Sequence, residues 1–214
     1  FIMVIPEELF RAEAEYAWLS PEEMTVTESM GSRKRRAQFS AGRLLLRHAL
    51  RRSFGPCADA WRVRTTGGVP RVEANFRGQR LVCSLSHSGA LALCGVAAGG
   101  DLGVDIEQCV PRRSGWAEFA AHALHPLERE RLAGLAEPAR WRALYQAWTL
   151  KEALSKALGV GLRLPFDRVS FSRRCRIEAA PDEFGVNSPD WRCSVLDAGG
   201  SAVAAMAWRA AKSA

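Results

Sequence analysis

Helical and strand patterns follow one another in blocks along this chain, and that order constrains its fold more than any other feature. Residues 33 to 53 are helical in pattern, with Phe39, Leu46, Ala49 and Leu50 marking one face and Gly55-Pro56 closing it. Short alternating or apolar runs fill 61 to 98, among them LVCSLSHS and ALALCGVA, and DLGVDIE follows a Gly-Gly break. Residues 116 to 158 read as two or three helices, with HPLERERL as one start; RVSFS, WRCSVLD and AVAAMAW then return to strands. Helix, strands, helices, strands is the order of an α+β protein. It predicts two similar halves, 1–104 and 105–214, each with a helix packed on a small antiparallel sheet.

The charge balance narrows the partners. The net charge is +7, and the segment 33 to 52 carries Arg33, Lys34, Arg35, Arg36, Arg43, Arg47, Arg51 and Arg52 with no acid among them. Such a segment suits an acidic or phosphorylated partner. No apolar run approaches the ~20 residues of a membrane span. The opening FIMVIP is too short for a signal peptide and lacks a basic start, so nothing points to export, although the chain begins at Phe1 rather than Met. Six scattered cysteines without a CxxC pair fit reduced thiols in a cytoplasm better than a zinc site.

Three short stretches carry possible chemistry. In GVDIE, strand geometry projects Asp105 and Glu107 to one face and Val104 and Ile106 to the other. Two such carboxylates repel unless a cation stands between them, and hard oxygens suit Mg²⁺ or Mn²⁺; an exposed strand edge with two solvated acids is the plainer alternative. In WTLKEALSK, the stripe Trp141, Tyr145, Trp148 leads on to Glu152, with Lys156 one turn further. Glu152 is either a third metal ligand or half of a surface Glu–Lys pair. In SLSHS, Ser86, His87 and Ser88 fall between two strand runs, where His87 can donate to a phosphate or simply close a strand end. No GxSxG elbow accompanies them.

GVDIE followed by WTLKEALSKALG resembles the paired signature of the 4′-phosphopantetheinyl transferases. With SLSHS ahead of the pair and the turn GGVPRV, the chain looks like the long single-chain Sfp type, across about residues 30 to 175. The resemblance implies a pseudo-dimer of two α/β halves acting as a monomer. It implies transfer of the phosphopantetheine arm of coenzyme A to a serine of an apo acyl or peptidyl carrier protein, with adenosine 3′,5′-bisphosphate released. Asp105, Glu107 and Glu152 would hold Mg²⁺ (or Mn²⁺), and Glu152 is also the candidate general base. Lys156 would contact the pyrophosphate, and His87 a coenzyme A phosphate with Ser86 beside it. Arg36 and Arg43 correspond to residues that reach the 3′-phosphate, and Gly68 and Pro70 would line the adenine pocket. Where several relatives have a Lys before that proline, this chain has Val69.

Two other readings compete. A basic nucleic-acid-binding module would use the Arg-rich segment, but it gives no reason to pair Asp105 with Glu107, and the basic run has no interleaved aromatics beyond Phe39. An inactive relative that only binds carrier proteins would not need the intact acidic trio.

Overall fold

The computed structural model describes residues 1–5, 9, 18–55, 62–66, 69–111, 115–137, 139–186, 189–200 and 202–211. The chain divides into two units, Phe1–Gly99 and Gly100–Ala214. The division falls slightly ahead of the 104/105 boundary expected from sequence, because DLGVDIEQ is one unbroken strand. Gly99 and Gly100, in front of it, take φ of 73° and 74°. A side chain at Gly100 would also collide with the Arg209 carbonyl.

The first unit contains helices α1 (Pro21–Glu28) and α2 (Arg33–Phe54). Its strands are β1 (Ile2–Val4), β2 (Arg62–Thr66), β3 (Val69–Glu73), β4 (Asn75–Phe76), β5 (Gln79–Ser88) and β6 (Leu91–Ala98). Four of them form an antiparallel sheet in the order β1-β6-β5-β4, and β2 and β3 make a separate hairpin. The helix α2 starts at Ser32, whose hydroxyl accepts from the Arg35 nitrogen at 3.4 Å, and ends at Gly55 with φ 97°. Its apolar stripe of Ala37, Ala41, Leu45, Leu46, Ala49 and Leu50 packs on Leu81, Ala92 and Cys94 of the sheet. Each buried Leu of this kind contributes roughly 1.5–3 kcal/mol.

SLSHS differs from its sequence reading. β5 runs on through Ser88, with His87 opposite Ala92 and Ser88 opposite Leu91. Only Gly89 and Ala90 are left for the turn, and Gly89 supplies the positive φ (57°) that a two-residue hairpin needs.

The second unit contains β7 (Asp101–Gln108), α3 (Gly115–Ala123), α4 (Pro126–Ala133), α5 (Ala139–Leu158), β8 (Ser170–Phe171), β9 (Ile177–Ala179), β10 (Arg192–Leu196) and β11 (Ala202–Arg209). An antiparallel sheet has the order β10-β11-β7. The helix α5 lies on one face of it: Leu150, Ala153 and Leu154 share a core with Ala205, Ala207, Phe166 and Val169. A second cluster joins Phe119, Ala120 and Leu124 to Trp141, Leu144, Tyr145 and Val203. Each unit, taken alone, is thus a long helix on a small antiparallel sheet, as the order of patterns predicts. Among the described residues no helix is long and apolar enough to cross a membrane.

Candidate active site

Alternation along β7 puts Gly103, Asp105 and Glu107 on the face that α5 covers. Their partners across the ladder are Ala207, Ala205 and Val203, all fully buried, and two of these are alanines. With so little side-chain bulk beneath it, α5 approaches the sheet closely. Helical periodicity then brings Glu152 and Lys156, one turn apart, over the acidic end of that face.

The ionic groups meet there. Lys156 Nζ donates to Asp105 Oδ1 at 2.7 Å, with the Asp105 side chain only 5% exposed. Glu152 is half-buried and Glu107 partly exposed. Burial pushes the Glu152 carboxyl above its ordinary 4.5; Asp105 pushes it the same way, Lys156 opposes, and Glu107 adds a smaller push upward. Asp105, Glu107, Glu152 and Lys156 are therefore electrostatic neighbours, although they come from segments some 50 residues apart. Their donors are hard carboxylate oxygens, the kind Mg²⁺ and Mn²⁺ take. Among the described residues no three His, Cys, Asp or Glu side chains stand in a metal-binding arrangement. In this structure the Lys156 ammonium is a cation that balances Asp105.

The expected first-unit residues fall in two places. His87 is exposed and Ser86 half-buried near the end of β5. Leu81, Cys83 and Leu85 pack toward α2, so alternation turns His87 to the same face. Gln38 Nε2 donates to the Gly89 carbonyl at 2.9 Å, which ties the first turns of α2, where Arg36 is half-exposed, to that end of β5. Pro70 lies in β3 opposite Thr65, and its carbonyl accepts from Cys83 Sγ at 3.4 Å. Gly68 lies outside the described residues.

Arg43 occupies a different setting from Arg36. Its side chain is 2% exposed; Nε stands 3.3 Å from Glu23 Oε1 and Nη2 donates to Thr65 Oγ1 at 2.6 Å. The guanidinium also lies 4.6 Å from the centre of the Phe39 ring. As placed, Arg43 ties α2 to α1 and β2 and does not face solvent.

Sequence reading gave no role to Lys151, the neighbour of Glu152. It is fully buried, donating to Glu128 and, at 2.8 Å each, to the carbonyls of Ala123 and Phe166. Glu128 in turn accepts from the nitrogens of Phe171 (2.9 Å) and His125 (3.1 Å). The pair pins α5 to α4, to the end of α3 and to the segment before β8. The one sequence signal for it is Glu128 standing three residues after a helix start, in the capping-box position. Glu23 is the corresponding omission in the first unit, and it too is a capping-box acid, with Ser20 as its N-cap.

Comparison with known proteins places this geometry. The model of the 4′-phosphopantetheinyl transferase superfamily matches residues 101–207, from the start of β7 almost to the end of β11. A putative 4′-phosphopantetheinyl transferase of Synechocystis is 30% identical over 180 residues, which cover 83% of this chain and 72% of that protein. This chain belongs to the 4′-phosphopantetheinyl transferase superfamily. The transferase HetI of Nostoc is 32% identical over 149 residues, 68% of this chain and 62% of HetI. A 4′-phosphopantetheinyl transferase of Bacillus subtilis is 29% identical over 63% of this chain and 57% of its own length. Solved holo-[acyl-carrier-protein] synthases are more distant: that of Thermotoga maritima has a TM-score of 0.41 and 23% identity, covering 52% of this chain and 64% of that one. Within the superfamily segment lie all four ionic residues, Asp105, Glu107, Glu152 and Lys156.

Proposed function

We propose that this phosphopantetheinyl transferase moves the 4′-phosphopantetheine arm of coenzyme A to a serine hydroxyl of an apo acyl or peptidyl carrier protein and releases adenosine 3′,5′-bisphosphate. The observation that carries the reading is the meeting of Asp105, Glu152 and Lys156 where α5 crosses β7, inside the superfamily segment.

A serine hydroxyl is a weak nucleophile, and a positioned carboxylate that takes its proton strengthens it. Glu152, half-buried beside Asp105 and one turn from Lys156, is positioned for that role. As the proton passes to Glu152, directly or through a water, the serine oxygen bonds to the phosphorus of the arm. The bond from that phosphorus to the bridging oxygen breaks, and the bisphosphate departs with the extra negative charge. Lys156, already a counter-charge to Asp105, balances it. Asp105, Glu107 and Glu152 would hold Mg²⁺ (or Mn²⁺), and the cation would supply positive charge to offset the negative charge that develops on transfer. Arg36, Ser86 and His87 are the proposed first-unit contacts for coenzyme A phosphates. The retained ionic residues favour turnover over an inactive carrier-binding relative. Residence in the cytoplasm, where coenzyme A and apo carrier proteins are made, and action as a monomer belong to the same reading.

The test is incubation with coenzyme A, Mg²⁺ and an apo carrier protein, with mass spectrometry of the carrier. The parent adds one phosphopantetheine arm, chelation of the metal stops it, and Asp105→Ala and Glu152→Gln each abolish the gain. Folded variants as active as the parent would show that these carboxylates are not the site.

A further inference from the structure

The second unit carries a basic groove that shares no residue with the carboxylate cluster. It is a cavity of about 550 Å³ lined by Arg131, Ser172, Arg173, Arg174, Arg176 and Glu178. Four guanidinium groups thus face one carboxylate, and that carboxylate is taken: Arg131 Nη1 donates to Glu178 Oε2 at 3.1 Å. Arg131 is fixed by further bonds to the Phe171 carbonyl (2.9 Å) and Ser170 Oγ (3.2 Å), which join α4 to the β8–β9 hairpin. Arg173, Arg174 and Arg176 are exposed, and among the described residues no carboxylate pairs with them.

The tip that presents these three arginines is built. Ser172 Oγ accepts from the nitrogens of Arg174 (3.3 Å) and Arg176 (3.0 Å). The Ser172 nitrogen donates to the Arg176 carbonyl at 2.8 Å, and the Cys175 nitrogen to the Ser172 carbonyl at 2.9 Å. Cys175 takes φ 57° to close the loop. A loop bonded in this way holds three cations together against their mutual repulsion, which costs stability unless an anion is received. The groove's lining holds no aromatic or aliphatic residue, and four of its six residues are arginines, so guanidinium groups are its chief recognition element. Its chemistry suits side-chain carboxylates spread along a polypeptide, each met by a guanidinium fork.

We propose that this groove docks an acidic segment of the protein that accepts the phosphopantetheine arm. The proposal rests on the transferase reading for the identity of that protein. Opposite charge on the two surfaces speeds encounter and fixes orientation, and it leaves the chemical step unchanged.

The test compares the parent with Arg173→Glu/Arg174→Glu/Arg176→Glu and with the corresponding triple Lys variant. With coenzyme A saturating, the Glu variant raises the KM for apo carrier protein about tenfold and leaves kcat and the KM for coenzyme A within about twofold. The Lys variant stays close to the parent, and added salt raises the parent's KM but not that of the Glu variant. Calorimetric binding of apo carrier protein to both proteins gives the same answer without turnover, so failure of the transferase reading and failure of docking remain distinct. Equal carrier affinity in parent and Glu variant overturns the proposal. So does a rise confined to the KM for coenzyme A, which would assign the groove to phosphate, or displacement of duplex DNA without any effect on the carrier.

Discussion

Gly103 lies directly against Ala153: a Cβ built on Gly103 would run into the Ala153 carbonyl oxygen and stand 2.5 Å from the Ala157 nitrogen. The backbone of α5 therefore rests on the backbone of β7, two residues from Asp105 on the same face. That contact sets the height at which Glu152 and Lys156 meet the acidic end of the strand.

Gly103→Ala tests the relationship. The added methyl meets backbone, which cannot rotate away, so α5 must lift. The expected cost is about 1–3 kcal/mol of overpacking, read by urea denaturation. Displacing the ionic groups lowers turnover more steeply, by about a hundredfold, since misplacement near 1 Å costs that much in a positioned site. Parental turnover in a destabilised variant would mean that the close approach supports the fold without setting the site.

Glu152 carries a cost that its proposed role explains. A carboxyl whose pKa is higher in the folded than in the unfolded state binds its proton more tightly when native. Glu152's contribution to native stability therefore rises as pH falls from above the raised value toward the ordinary 4.5, and falls as pH climbs back through that window. Glu152→Gln removes the ionised group, so without divalent metal it raises the melting temperature at neutral pH, on the order of a degree or two, and flattens the profile in the acid range. Melts from acid to neutral pH check this; a variant less stable than the parent at neutral pH, with the same slope, would contradict it.

The sequence made some of this legible and hid the rest for physical reasons. The helix over 33 to 53 and the strand DLGVDIE follow from local periodicity and Gly punctuation, and the structure has both. Asp105 and Glu107 are two apart, so their common face needs only strand geometry. Arg43 is different: its burial depends on Glu23, which reaches it from α1. In a run of seven other basic residues nothing local separates the one fully buried guanidinium from its more exposed neighbours. Lys151 poses the same difficulty, because Glu128 is 23 residues away on another helix. Gly103 does carry a local signal, a lone glycine inside a strand pattern, which indicates close backbone approach.

The thiols divide by environment. Burial pushes Cys94 and Cys193 up to about 12 and Cys83 up to about 11. The thiolate is the reactive form, so at mildly alkaline pH these three are almost entirely unreactive while the protein is folded. Brief treatment of native protein with iodoacetamide, followed by peptide mass mapping, should leave Cys83, Cys94 and Cys193 unmodified. Half-exposed Cys175, at the tip of the basic hairpin, should be labelled ahead of them. In denaturant all four react. Early labelling of Cys94 in native protein would show that the first unit's core opens readily.

The buried pair of Lys151 and Glu128 gives the sharpest stability prediction. The two side chains are 0% and 3% exposed, and they link α5 to α4 beside the turn that carries Glu152. Burial lowers the Lys151 pKa and Glu128 opposes that shift, so the ammonium depends on its partner to stay charged there. Lys151→Met leaves the buried Glu128 carboxylate without its counter-charge, held only by the nitrogens of Phe171 and His125, and frees the carbonyls of Ala123 and Phe166 from their donor. The expected loss is about 3–5 kcal/mol, the usual cost of breaking a buried pair from one side. Glu128→Gln alone strands the ammonium and loses a similar amount. In the double variant neither charge is left unpaired, so the combined loss falls short of the sum of the two by about 1–3 kcal/mol. Chemical denaturation of the parent, both single variants and the double variant completes the cycle. Strict additivity would mean that the two groups are stabilised independently, by their backbone partners alone, and that the pair does not lock α5 in place.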